Sequence, residues 1–289
     1  MFARITLALF FLLLVWGNLV AGMKAGLACP DWPLCHGRVL PPFRLDIWME
    51  FGHRLIAATA TVSLLVLAWQ RFKHYRGAAK AVPVAAVAII AVEIILGGLV
   101  VVLELPVQLT TVHFMTGLTV FLLVAYMAAF DGRDRIPAFA VRGRSGLLLA
   151  LGALIFSQGA LGAYVRHSGS GLACTDFPTC GGHWLPRISS AEVLAQFSHR
   201  AMGAVIVLTL FTFWLATLLD GRLGRHRATA LLLAVLATAQ VGIGGVVVLS
   251  GLSYVMAAVH LAMALLLILL LGRMWVVEMT EGERPSTAG

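Results

Sequence analysis

Residues 81–103 read AVPVAAVAIIAVEIILGGLVVVL, a run of apolar residues broken by a single charge, Glu93. About 20 such residues in a helix cross the ~30 Å of hydrocarbon in a bilayer. The run has no apolar–polar alternation, so it is not a strand of a membrane barrel. Comparable runs lie near 4–22, 48–70, 107–130, 145–165, 193–219, 228–249 and 254–277, which makes eight spans. Of the 289 residues 60% are apolar and 12% charged, against roughly 25% charged in soluble domains. That balance excludes a soluble enzyme, a nucleic-acid binder and a disordered chain. The formal net charge of +8 then belongs to loops at a membrane surface, with lipid rather than nucleic acid as the partner.

The loops fix a direction. Those at 71–80, 131–144 and 220–227 hold Arg71, Lys73, Arg76, Lys80, Arg133, Arg135, Arg142, Arg144, Arg222, Arg225 and Arg227. With Arg4, Arg273 and Arg284, one side carries 14 of the 21 cations. The positive-inside rule puts that side, and both termini, in the cytoplasm. The long loops at 23–47 and 166–191 then face outward. The first apolar stretch runs on to about Ala21 without a small-x-small cleavage site, so it reads as a span and not as a cleaved signal. Gly26-Leu27-Ala28-Cys29 faintly resembles a lipoprotein signal, but the same four residues recur at 171–174, where none can operate.

That recurrence is part of a longer self-similarity. Asp31, Pro33, Cys35 and Gly37 match Asp176, Pro178, Cys180 and Gly182. His53-Arg54 matches His199-Arg200, Gly97-Gly98 matches Gly244-Gly245, and His113 matches His260. The expected fold is therefore all-α: eight transmembrane helices as two tandem four-helix bundles, residues 1–143 and 144–289. An even number of helices per copy makes the repeat parallel, about an axis along the membrane normal.

Nine histidines are present. His74 and His226 fall in basic loops and His36, His167 and His183 in outer loops, where solvated roles are expected. His53, His113, His199 and His260 lie at the outer ends of apolar helices, where an ionisable side chain is costly without a partner. One per even-numbered helix, they share a depth. Each copy supplies two, the number needed for axial ligation of an iron between helices. Structural zinc needs more ligands, so a tetrapyrrole is favoured, with Gly52, Gly117 and Gly203 leaving room beside the rings. Arg54 and Arg200 are candidate partners for haem propionates, through a guanidinium fork, or else interfacial side chains.

Two Cys-x5-Cys pairs, Cys29/Cys35 and Cys174/Cys180, lie in the outward loops, where disulfides are permitted. Three connectivities exist, and the repeat favours pairing within each loop. Either a structural staple or a pair exchanging with a thiol–disulfide partner fits, and Trp32 or Phe177 is placed to cap a haem edge or the interface. The copies also differ. Glu50, one turn before His53, aligns with Gln196, and Glu93 aligns with Gln240. Glu50 beside a pocket suits a general base or a stabiliser of positive charge; the bland alternative is an ion pair with Arg54. One reactive site and one electron-transfer site are the expectation.

The run from Gly26 to Gly37, the element Glu50-Phe51-Gly52-His53-Arg54, and three further helix-borne histidines resemble the haem A synthase family over about residues 4–277. The resemblance implies oxidation of a methyl group of haem O to a formyl group, giving haem A for cytochrome oxidase. It implies that His199 and His260 ligate a resident haem b, that His53 and His113 bracket the substrate haem O, and that Glu50 sits at the reacting centre. It makes Cys29 with Cys35 the functional pair. It also implies a bacterial plasma membrane, with haem O synthase and oxidase assembly factors as partners. The rival is a di-haem electron-transfer cytochrome, which has no use for Glu50 or the cysteine loops. A membrane thiol oxidoreductase lacks its usual close Cys-x-x-Cys here, and a haem chaperone would leave haem unchanged.

Overall fold

A computed structural model describes residues 1–131, 143–221 and 223–281, the side chains of residues 144, 280 and 281 excepted. Among the described residues there are eight long helices: α1 (Phe2–Gly22), α2 (Leu45–His74), α3 (Ala81–Val102), α4 (Val107–Ala129), α5 (Gly143–His167), α6 (Ala191–Leu219), α7 (Arg227–Leu249) and α8 (Tyr254–Glu281). All eight are long and apolar enough to cross a membrane. Among the described residues there is no strand, only an isolated bridge between Cys35 and Arg38 and another between Cys180 and His183.

The helices run past the apolar segments where their ends are polar. α2 begins three residues before the expected span and ends four after it, with Asp46 in its first turn and Arg71, Lys73 and His74 in its last. Those charges complement the helix dipole, so the ends persist outside the hydrocarbon. α6 starts at Ala191, where the Ser190 hydroxyl accepts the Val193 N–H at 3.3 Å. This is an N-cap, worth about 1 kcal/mol. Of the cations that set the expected direction, Arg133, Arg135, Arg142, Arg222, Arg284 and the side chain of Arg144 lie outside the described residues.

Packing is between neighbours in sequence. α1 lies on α2, α2 on α3, α3 on α4, and α4 returns to α1; α5, α6, α7 and α8 close in the same way. The two groups meet where α1 packs on α8 and α4 on α5. Phe10, Leu64, Phe121, Leu210, Leu233 and Leu265 are fully buried among these helices, while Leu65, Trp69, Ile95 and Leu208 face outward as lipid-facing residues do. In lipid, apolar burial does not drive helices together, so close contact depends on small residues. The glycines described below meet that need.

At the end opposite the two long loops, polar contacts tie the helices. Arg71 Nε donates to the Met127 carbonyl at 2.8 Å, and Tyr75 Oη to the Phe130 carbonyl at 2.6 Å. His226 corrects its expected solvated role: it is buried, 2.7 Å from Glu278 Oε1.

Candidate haem sites

The four intramembrane histidines stand about two turns inside α2, α4, α6 and α8, and each meets a glycine of the preceding odd-numbered helix. A Cβ at Gly17 would lie 2.9 Å from His53 Cε1, and one at Gly162 2.9 Å from His199 Cε1. At Gly97 it would lie 3.2 Å from His113 Cε1, and at Gly244 3.0 Å from His260 Cε1. The rings thus fit only against glycine. Of the glycines expected to flank them, Gly203 lines the cavity beside His199 and His260, while Gly52 faces Trp16 and Gly117 faces Glu93. The pairing of a ring with a glycine on another helix has no local signature in the sequence. Only its recurrence at Gly17/Gly162 and Gly97/Gly244 signals it.

His199 and His260 line a cavity of about 610 Å³ between α5, α6, α7 and α8, to which α1 and α4 add Asn18 and Phe114. The two ring centroids are 6.4 Å apart, with the planes inclined at 67°. Metal–imidazole bonds of about 2.0 Å place two rings on one metal roughly 6 Å apart, centroid to centroid. The Nδ1 atoms of His53, His199 and His260 are buried without a hydrogen-bond partner, whereas that of His113 faces the Glu93 carboxylate at 3.1 Å; the first three rings are left to be oriented by whatever Nε2 binds. The cavity walls are otherwise mainly apolar. The residues present therefore fit a haem held by His199 and His260. On the other side, His113 lies within electrostatic reach of both His53 and Glu50.

Each cysteine pair is bridged within its own loop, Cys29 to Cys35 and Cys174 to Cys180, with Cα–Cα distances of 4.7 and 4.8 Å. The loops are seated by matching contacts. Trp32 packs where a Cβ at Gly98 would be 3.2 Å away, and Phe177 where one at Gly245 would be 2.6 Å away. The Asp31 carboxylate accepts the His36 and Gly37 N–H groups at 2.6 and 2.7 Å. Asp176 accepts those of Gly181 and Gly182 at 2.7 and 2.9 Å, and the Thr179 hydroxyl at 2.5 Å. These donors hold both carboxyls below the usual carboxylate range; the Gly37 N–H matters most for Asp31 and the Thr179 hydroxyl for Asp176.

For Arg54 and Arg200 the sequence leaves two places open, haem propionates or the membrane interface, and Arg200 does line the cavity. In the structure they clamp the loops. Arg54 Nη1 donates to the Asp31 and Leu34 carbonyls at 2.7 and 2.6 Å and Nη2 to that of Cys29 at 3.0 Å, while Nε binds Glu50 Oε1 at 3.1 Å. Arg200 repeats this on the carbonyls of Asp176, Thr179 and Cys174. Its Nε has no partner, because Gln196, which stands in place of Glu50, turns its amide to the Gly171 carbonyl at 3.1 Å. The ion pair between Glu50 and Arg54 is thus present, and Glu50 is only 5% exposed. Arg166 and His167, in the last turn of α5, also line the cavity. Both are half-buried, so His167 is not the solvated loop residue expected; its place in the last turn of a long helix decides this.

Fold and site together define a polytopic helical membrane protein with paired histidines between its helices and two disulfide loops clamped over them. The model of the COX15-CtaA family, described as cytochrome oxidase assembly proteins, matches residues 1–271. The chain belongs to this family. Among similar proteins, the heme A synthase of Halalkalibacterium halodurans is 31% identical over 261 residues, covering 86% of each chain. That of Symbiobacterium thermophilum is 30% identical over 266 residues, 88% of this chain and 86% of its own. That of Alkalihalophilus pseudofirmus is 32% identical over 216 residues, 72% of each.

Proposed function

We propose that the chain oxidises a methyl group of haem O to a formyl group, producing haem A for cytochrome oxidase assembly. Residues 1–143 hold the substrate, and residues 144–289 hold a resident haem b between His199 and His260. When bound, that haem supplies one-electron transfer. The observation that carries the assignment is a difference between two otherwise matching sites. Beside His53 is a buried carboxylate, Glu50, fixed by Arg54; beside His199 is a neutral amide, Gln196, turned to a backbone carbonyl. The relatives named heme A synthase support the same reading.

The residues divide the work. His53 and His113 bracket the substrate. Written with water as the oxygen source, R–CH3 and H2O give R–CHO with four protons and four electrons; the electrons pass one at a time to an electron acceptor in the membrane, and Glu50 is placed to accept a proton at its carboxylate. Arg54 keeps that carboxylate in position and, through three carbonyl contacts, ties it to the Cys29–Cys35 loop above. The same disulfide is fully buried, so exchange with a thiol–disulfide partner requires its loop to open first, and haem O synthase is a natural donor of so insoluble a substrate. The bacterial relatives support a plasma-membrane location; the basic loops support cytoplasmic termini, with the sites near the outer face.

The test is haem extraction and chromatography after co-expression with a haem O supply, comparing wild type with Glu50→Ala. Haem A is expected with wild type alone, and both proteins should retain haem b. Haem b with no formyl haem in either, under a verified haem O supply, would overturn the assignment in favour of an electron carrier.

A further inference from the structure

Glu93 lies in the middle of α3, a charge in the most apolar of the eight spans, and the mechanism above does not use it. Its Oε1 is 3.1 Å from His113 Nδ1. Its Oε2 accepts a short hydrogen bond from the Thr116 hydroxyl. Its side chain is 16% exposed. The space it fills exists because residue 117 is glycine: a Cβ there would sit 2.8 Å from Glu93 Oε1. Three residues are therefore fitted to one another, a carboxylate, a hydroxyl that anchors it and a glycine that admits it, all within a turn of His113.

The matching positions of the second half lack all three. Gln240 stands for Glu93, Met263 for Thr116 and Ala264 for Gly117. Gln240 Nε2 donates to the His260 carbonyl at 2.9 Å, so the amide holds backbone and leaves the His260 ring alone. A bland helix-to-helix polar contact would need the acid but not the accompanying hydroxyl and glycine. A carboxylate against the distal nitrogen of a ligating imidazole fixes the ring's orientation and makes it a stronger donor to the metal.

Building on the haem assignment above, we infer that Glu93 is a positioning residue that turns His113 Nε2 toward the substrate iron and strengthens its donation, so that the first site has a lower reduction potential than the second. Electrons are then drawn from the substrate site toward the His199–His260 haem. The asymmetry that gives direction to the reaction lies in α3 and α4, one helix layer away from Glu50.

The experiment uses the full-length protein in a Glu50→Ala background, which does not convert its substrate, loaded with haem O by co-expression, with separate redox titration of the two haems followed by optical and electron paramagnetic resonance spectra. In Glu93→Gln the reduced-to-oxidised ratio of the first-half haem at fixed potential should rise about tenfold, equivalent to about 59 mV for one electron. The second-half haem should be unmoved, and Glu93→Asp should restore part of the shift. The reciprocal variant, Gln240→Glu with Met263→Thr and Ala264→Gly, should lower the potential of the second-half haem. It answers the question even if Glu93→Gln does not accumulate. Unchanged potentials in both variants, with His113-dependent haem present, overturn the role of Glu93 alone. A His113→Ala protein whose haem content and spectra match the wild type instead overturns the haem assignment, and this inference with it.

Discussion

At the residue scale, the site is a set of rings lying against glycines. Gly162 has no room for a methyl group beside His199 Cε1, whereas Gly272 in α8 has open space where its Cβ would be. Gly162→Ala must tilt the His199 ring by a few tenths of an ångström, so haem b affinity should fall between about 10-fold and 100-fold, as for loss of a group that orients a metal ligand. Gly272→Ala should leave binding unchanged and add a few tenths of a kcal/mol or more to helix stability. Titrating apoprotein with haem separates the two. His199→Ala or His260→Ala should abolish the stable low-spin spectrum altogether; a normal spectrum in both would remove them as ligands. The histidines were legible because a titratable ring in an apolar helix is conspicuous. The glycines that seat them were not, since their partners are over thirty residues away in sequence at Gly17 and Gly162 and on a separate helix at Gly97 and Gly244. Arg54 and Arg200 were rightly singled out, but whether a guanidinium serves backbone carbonyls or a propionate depends on loop geometry that spacing does not encode.

At the element scale, the disulfide loops are held from below by an arginine and from within by an aspartate. Arg54→Ala should release the Cys29–Cys35 loop and uncouple Glu50 from it, so reduction by dithiothreitol, read by alkylation and mass, should be faster there than at Cys174–Cys180. The aspartates carry a pH dependence. Each is held below the ordinary carboxylate range by donors in its own loop, so its contribution is fully present above about pH 4 and is lost as pH falls through the lowered value. Amide exchange at Gly37 and Gly182 should therefore show constant protection from pH 8 to 5, once corrected for intrinsic rates, and loss of it only in stronger acid. Asp176→Asn should lose it at neutral pH. Within-loop pairing of the cysteines was legible from the repeat. The carboxylate turn was not, because Asp31 and Asp176 looked like ordinary loop residues until their loops closed.

On the scale of the whole molecule, eight helices were legible from apolar run length alone, and only their polar ends were underestimated. The neighbour order was not legible, because lipid is as apolar as leucine and a run that faces it reads like one that faces a helix. α1 on α8 and α4 on α5 place Asn18 and Phe114 at the wall of the His199–His260 cavity, so the two proposed haem sites share a boundary. The proposed orientation can be checked directly. A cysteine introduced at Ala78 should react with an impermeant maleimide only from the cytoplasmic side of vesicles, and one at Val39 only from the other. Labelling of both from one side would reverse or refute the topology.

The neighbouring glycines of α3 and α7 carry a last consequence. On each helix one glycine admits a histidine ring and the next admits a loop aromatic, an indole at Gly98 and a phenyl at Gly245. A seat that takes either ring is a socket, and a socket makes its plug exchangeable. Grafting residues 174–183 over residues 29–38 should give a chain that still assembles, so that lids of new chemistry can be fitted without rebuilding the helices beneath them.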